Sequence, residues 1–282
     1  MRNLFLLIFL LTSGVANAAQ FPFSFWAPQG CITTFTGGTV ISTVGDYKII
    51  EVTANDTITN TGSCTATVQI TLVGGGAAGT VAGGGAGAFI YDSARSFAPG
   101  AKNVVIGAGG VAGVTPNGSD STFDGLTAGG GGHGGNPGVN GRDDAGSGGG
   151  QATIGFAAGS AGANVGTSGT VSKYGSAGGG TTDPTNSGGG GGADQVGATA
   201  NGAGGGNGGN GHVDPITGNT FAGGGGGSGT SGSGSGGTGG GGNGNLNTGS
   251  PGTACGAGGG GGRLVADGDG FRGCFYMKYK YQ

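Results

Sequence analysis

The sequence predicts a mainly β fold: a small antiparallel β-sheet or sandwich scaffold, made of N-terminal strands plus the C-terminal strand, carrying a large glycine-rich bundle of polyglycine-II helices. Three observations predict it. Glycine supplies 82 of the 282 residues, against about 7% in ordinary domains. Five pure glycine runs start at positions 188, 204, 223, 239 and 258, spaced 16, 19, 16 and 19 residues apart. Segments with period-two hydrophobic alternation flank this region on both sides, so that pairing of the last strand with the N-terminal sheet would fix both of its ends.

Backbone chemistry leaves few options for the runs. Consecutive glycines cost roughly 1 kcal/mol each in an α-helix, and as ordinary strands they have no side chains to pack. The polyglycine-II helix has three residues per turn and no internal hydrogen bonds, so its N–H and C=O groups need partners outside the helix. Adjacent glycine rods supply them, because the absence of Cβ allows close approach. A disordered linker is the competing expectation, since glycine loses the most backbone freedom on folding. Only 8% of residues are charged and the net charge is −3, which leaves packing open. Asp183-Pro184-Thr185-Asn186 and Asp214-Pro215-Ile216-Thr217-Gly218-Asn219 read as turns between rods, and ten residues of rod span roughly 30 Å.

Taken in order, residues 1–18 read as a secretory signal peptide, with Arg2, the apolar run Leu4–Leu11 and the small-x-small site Ala16-Asn17-Ala18. The run is too short for a membrane span of about 20 residues, and no later segment qualifies. Residues 19–128 form the N-terminal β-rich region, 129–262 the glycine bundle, and 263–282 a final strand that pairs back onto the scaffold. Phe21, Phe23, Phe25 and Trp26 make an aromatic arm, laid on the protein's own surface or inserted into a neighbouring copy. Thr39–Val44 and Tyr47–Val52 form a hairpin through Gly45-Asp46. Thr65–Val73 alternates as a strand with one buried and one wet face, and Ala88–Phe97, Lys102–Ile106 and Ser121–Phe123 follow. Beyond Leu126 strand signals fade until Phe271–Tyr281, which reads as half-buried with a polar outer face.

Export gives Cys31, Cys64, Cys255 and Cys274 the chemistry of two disulfides. Three connectivities exist, of which the local one, 31 with 64 and 255 with 274, is expected. Their spacing with His133 and His212 fits no zinc site, so neither a metal nor a cofactor is expected. No basic stripe is available for nucleic acid. Glycine abundance makes G-x-G-x-x-G matches uninformative, and no P-loop or nucleophile elbow occurs, so an enzyme is not expected. Asp143-Asp144 and Asp267-Gly268-Asp269-Gly270 read as solvated turns rather than calcium loops. The threonine arrays Thr57-Ile58-Thr59-Asn60-Thr61 and Thr65-Ala66-Thr67 read as an outer strand face, with ice binding as the sharper alternative.

Between residues 47 and 132 several motifs recur in a familiar order: Thr71-Leu72-Val73-Gly74-Gly75-Gly76, Gly83-Gly84-Gly85-Ala86-Gly87-Ala88-Phe89, Val104-Val105-Ile106-Gly107-Ala108-Gly109-Gly110 and Asn117-Gly118-Ser119-Asp120-Ser121-Thr122-Phe123. They resemble the glycine-rich domain of bacteriophage tail-fibre proteins and bacterial surface proteins. That resemblance implies a small β scaffold carrying polyglycine helices, with host-surface recognition by loops at the bundle tip. Glycine-rich antifreeze proteins are similar in composition but share none of the strand motifs. The expected function is a secreted, non-enzymatic structural or adhesive protein of the cell surface or an extracellular fibre. The alternatives are a receptor- or glycan-binding module, with Asp183, Asn186, Asp214 and Asn219 as recognition-turn candidates, and an antifreeze protein. The expected partners are a second copy of the chain or a surface receptor or glycan.

Overall fold

The last strand of the chain occupies the middle of the main sheet. A computed structural model describes residues 33–135, 138–141 and 145–281. Fourteen strands and no helix are present among them: β1 Phe35–Thr36, β2 Thr39–Val44, β3 Tyr47–Val52, β4 Asp56–Asn60, β5 Ala66–Val73, β6 Phe89–Phe97, β7 Gly100–Val105, β8 Ser121–Phe123, β9 Leu126–Ala128, β10 Gly166–Ser168, β11 Val171–Tyr174, β12 His212–Val213, β13 Thr220–Phe221 and β14 Cys274–Lys280. A seven-stranded antiparallel sheet runs β10-β11-β6-β5-β14-β3-β2, and a five-stranded one runs β1-β4-β7-β8-β9. The mainly antiparallel β scaffold and the return of the last strand are as expected. The β2–β3 hairpin turns at Gly45, whose φ of +56° is the left-handed conformation that glycine adopts without strain.

Between the two sheets lies the main core, with Ile50, Ile58, Val68, Ile70, Leu72, Phe97, Phe123, Phe275 and Met277 buried. Phe123 packs on Phe275 with ring centroids 4.7 Å apart, and on Phe97 at 5.8 Å. Full burial of such side chains stabilises by about 1.5–3 kcal/mol each. Outer threonines of β4 face away from this core, while Ile58 points in.

The second face of the long sheet departs from expectation. Its outer side was expected to be wet along β5 and β14, yet Thr71, Val73, Cys274 and Tyr276 are buried. Residues 212–222 fold across them, and Phe221 stacks on Tyr276 at 5.4 Å and 10°. The polar residues of that face are therefore anchors rather than solvent contacts. The threonine array at residues 57–61 coincides with β4, whereas β9, β10, β11, β12 and β13 carry no sequence signal of their own; each is short or polar, and tertiary pairing sets it.

The glycine runs belong to no strand, and their backbone bonds form a network with a three-residue repeat. In Gly223–Gly227, the N–H groups of Gly223 and Gly226 donate to Gly239 and Gly242, those of Gly224 and Gly227 to Gly209 and Gly206, and that of Gly225 to Gly84. The carbonyls of Gly223 and Gly226 accept from Gly258 and Gly261, those of Gly224 and Gly227 from Gly237 and Gly234, and that of Gly225 from Gly190. Every third residue thus meets the same neighbour, and six segments surround the run. Residues 83–88 are bonded in the same way, to 188–191, 256–259 and 129–132 through their N–H groups. A Cβ placed on Gly225 would fall on the carbonyl oxygen of Gly259, so no other residue fits there.

At its perimeter the network lacks neighbours, and side chains take their place. Asn207 Oδ1 accepts from Ser235 N at 2.9 Å and Asn210 Oδ1 from Thr238 N at 3.1 Å, repeating the three-residue step. Asn117, Asn140 and Asn243 do the same for His133, Ser160 and Gly236. Among the described residues no buried side-chain polar atom lacks a partner.

Candidate recognition surface

Strand β5 runs directly into Gly74, Ala88 leads into β6, and Gly273 leads into β14, so these residues mark the end of the glycine network that abuts the sheet. The reversals around Val81, Pro184, Thr230 and Leu264 lie at the other end, and polar side chains tie them together. The carbonyl of Val81 accepts from the hydroxyls of Ser187 and Ser228 at 2.7 and 2.8 Å. Thr80 Oγ1 donates to Gly134 O at 2.7 Å, and Gly262 N donates to Thr80 O at 2.7 Å.

Asp183 and Asn186, two of the four expected recognition-turn residues, sit in this far-end cluster. Asp183 Oδ1 accepts from the N–H and hydroxyl of Thr185 at 2.7 and 2.6 Å. Those bonds, the hydroxyl's first, hold its carboxyl below the ordinary carboxylate range. Asn186 is fully buried; its Nδ2 donates to Asn201 O at 2.9 Å and its Oδ1 accepts from Thr230 N at 3.0 Å. Arg263 lies across the turn and donates from Nη1 to Thr185 O at 2.5 Å.

Asp214 and Asn219 lie at the opposite end, against the sheet. Asp214 is fully buried: its carboxylate accepts from the Thr71 hydroxyl at 2.5 Å, from Ile216 N and Thr217 N at 3.2 and 3.1 Å, and from the Thr217 hydroxyl at 2.7 Å. Its N–H donates to Asn219 O at 2.7 Å. This turn is a plug that seats on β5. Burial, with the charges of Asp214 and Asp92, raises the Tyr91 phenol, and burial with the Glu51 contact raises that of Tyr276. Beside it His212 stacks on Tyr174 at 3.9 Å and bonds Asp194 through Nδ1 at 2.7 Å.

Cys255 and Cys274 form a disulfide, which ties the last glycine run to β14. Cys31, the expected partner of Cys64, lies outside the described residues, as do Phe21, Phe23, Phe25, Trp26 and Asp143-Asp144. Asp267 and Asp269 accept backbone bonds from Gly262 and Ala112 at 3.1 and 2.9 Å, and burial raises the Asp267 carboxyl. Among the described residues no cluster of three or more acidic, histidine or cysteine side chains could hold a metal. No helix among them is long and apolar enough to cross a membrane.

What the far end presents to solvent is apolar as well as polar. Val114 is 75% exposed, Leu264 67% and Val265 76%. Val114 sits in the loop that closes over Ala78, and Leu264 and Val265 follow Arg263 beside residues 246–247. Sequence reading singled out none of them, because isolated apolar residues in loops carry no periodic signal.

A family model described as a glycine-rich domain matches residues 52–280. The chain belongs to the glycine-rich domain family. The matched span starts at the end of β3 and reaches the end of β14, so the family unit contains the glycine network and the central strand that closes it. No curated protein matches the chain.

Proposed function

We propose that this is an exported, non-enzymatic structural or adhesive protein of the cell surface or an extracellular fibre, whose glycine runs are polyglycine-II helices presenting loops to a surface receptor or glycan. The three-residue repeat with six surrounding segments supports the helical assignment, because that helix has three residues per turn and directs its polar groups outward. The leader-like residues 1–18 and the even cysteine set support export. The resemblance to tail-fibre adhesins supports recognition at the bundle tip.

One observation carries the reading: Val114, Leu264 and Val265 are held exposed on loops fixed to a hydrogen-bonded network, away from the sheet. Rigidly mounted loops with exposed apolar side chains are a common form of binding surface. The test is binding of the mature chain to glycan arrays and to a panel of cell surfaces, alongside the double variant Leu264→Asp, Val265→Asp. Saturable binding by the wild type, lost in a variant with unchanged thermal unfolding, is the expected result. Equal binding by both proteins, or none by the wild type, overturns it. Electron microscopy separates the fibre version: a strictly monodisperse monomer at high concentration eliminates it.

A further inference from the structure

Six asparagines among the described residues precede a glycine: Asn117, Asn140, Asn201, Asn207, Asn210 and Asn243, all exposed. Asn-Gly is the sequence most prone to spontaneous deamidation, because glycine leaves its own N–H free to approach the asparagine side chain. Attack by that backbone nitrogen on Cγ forms an N–Cγ bond and breaks the Cγ–Nδ2 bond, and ammonia leaves with the amide proton. The resulting five-membered imide takes up water at either carbonyl, giving aspartate or isoaspartate. Water enters and ammonia leaves, with no oxidant or enzyme required.

In five of the six, the network holds the attacking group. Gly118 N donates to Gly131 O at 3.0 Å, Gly141 N to Ser160 O at 2.9 Å, Gly208 N to Ser235 O at 2.9 Å, Gly211 N to Thr238 O at 2.8 Å and Gly244 N to Gly234 O at 2.9 Å. The asparagine side chains of these five are also held, as caps on neighbouring segments. Asn201 differs in the attacking group alone. Its side chain is held as well, with Oδ1 accepting from Ala203 N at 2.9 Å. But it lies in a tight far-end reversal, bridged to Gly204, where the exposed Gly202 N–H donates to no group among the described residues.

We propose that Asn201 is a native-state deamidation site, and that the other five Asn-Gly pairs are kept intact by the glycine network. The chemistry stands apart from the adhesive reading, but its product falls on the proposed surface. It puts a carboxylate into a stretch with no charge from Gln195 to Val213, next to the Asp183 turn. Isoaspartate would also lengthen the backbone at the carbonyl that receives Asn186 Nδ2.

The test is peptide mapping by mass spectrometry after incubation of the folded chain in mildly alkaline buffer, beside a sample held unfolded in denaturant. In the folded protein, conversion at Asn201 is expected to be at least about tenfold faster than at any of the other five, since groups engaged in the network react only on opening. In denaturant all six should convert at similar rates. The variant Gly202→Ala, whose Cβ meets nothing closer than Asp183 Oδ2 at 3.9 Å, should fold normally and suppress the native-state conversion. Conversion in the folded wild type at equal rates across the six sites, or fastest at one of the five caps, overturns the proposal, as does undiminished conversion in Gly202→Ala.

Discussion

The sheet scaffold and the glycine network solve the same problem with opposite materials. Between the sheets, side chains exclude water, and burial of Phe97, Phe123, Phe275 and their aliphatic neighbours supplies the stabilisation. In the network almost no side chain is present, and what fills space is backbone, each central run surrounded on six sides. A net contribution of about 0.5–1.5 kcal/mol per hydrogen bond must there offset the large ordering entropy of glycine. The lesson is that the two regions should tolerate opposite substitutions: added volume is fatal in the network, and removed volume is costly in the scaffold.

The sharpest way to break that comparison is a single methyl group. Gly225→Ala sets a Cβ against the Gly259 carbonyl with backbone on every side, and it should destabilise by more than about 3 kcal/mol or prevent folding. Gly113→Ala, at a φ of +71° with open space around it, should cost only about 1–2 kcal/mol. Denaturant melts of the two variants give the difference; equal effects would mean that the runs are not packed.

Next in size is the covalent tie between the regions. Cys255 and Cys274 enclose a loop with a sequence separation of 19, so Cys255→Ser with Cys274→Ser should lower stability by about 3 kcal/mol in a thermal melt under oxidising conditions. A smaller loss is expected at the perimeter. Asn207→Ala with Asn210→Ala leaves Ser235 N and Thr238 N to water, and should cost about 1–2 kcal/mol in total while leaving the sheet spectrum unchanged.

The smallest effect belongs to the scaffold's charges. Burial alone would raise the Asp124 carboxyl, but hydrogen bonds from Lys102 and Arg95 outweigh it and set it below the ordinary range. A depressed folded-state pKa adds stability above the unfolded value of about 3.9 and loses it as pH falls further. Asp124→Asn should therefore cost about 1 kcal/mol at neutral pH, and the gap between variant and wild type should close in melts well below pH 4.

The scaffold was largely legible because its strands advertise themselves. Thr39–Val44, Tyr47–Val52 and the end of the chain alternate with period two, and the hairpin turn is spelled by Gly45-Asp46. What alternation could not reveal was the cover on the second face, since Thr71 and Tyr276 look solvent-facing until Asp214 and Phe221 arrive from far along the chain. In the network the spacing of runs signalled order, and the Asn-x-x-Asn step at Asn207 and Asn210 marks where it stops. The split of the two expected turns was not legible: Asp183-Pro184 and Asp214-Pro215 look alike, and only hydrogen bonding puts one at the far end and the other under the sheet.

Amide hydrogen exchange at Gly223–Gly227 tests the central claim most directly. If the runs are a bonded core, these glycines should exchange only through near-global opening, with protection comparable to that of Ile70 and Met277 in the middle of the sheet. Exchange of the same amides at unprotected rates, while the sheet stays protected, would show a glycine linker hung on a β scaffold and contradict the account.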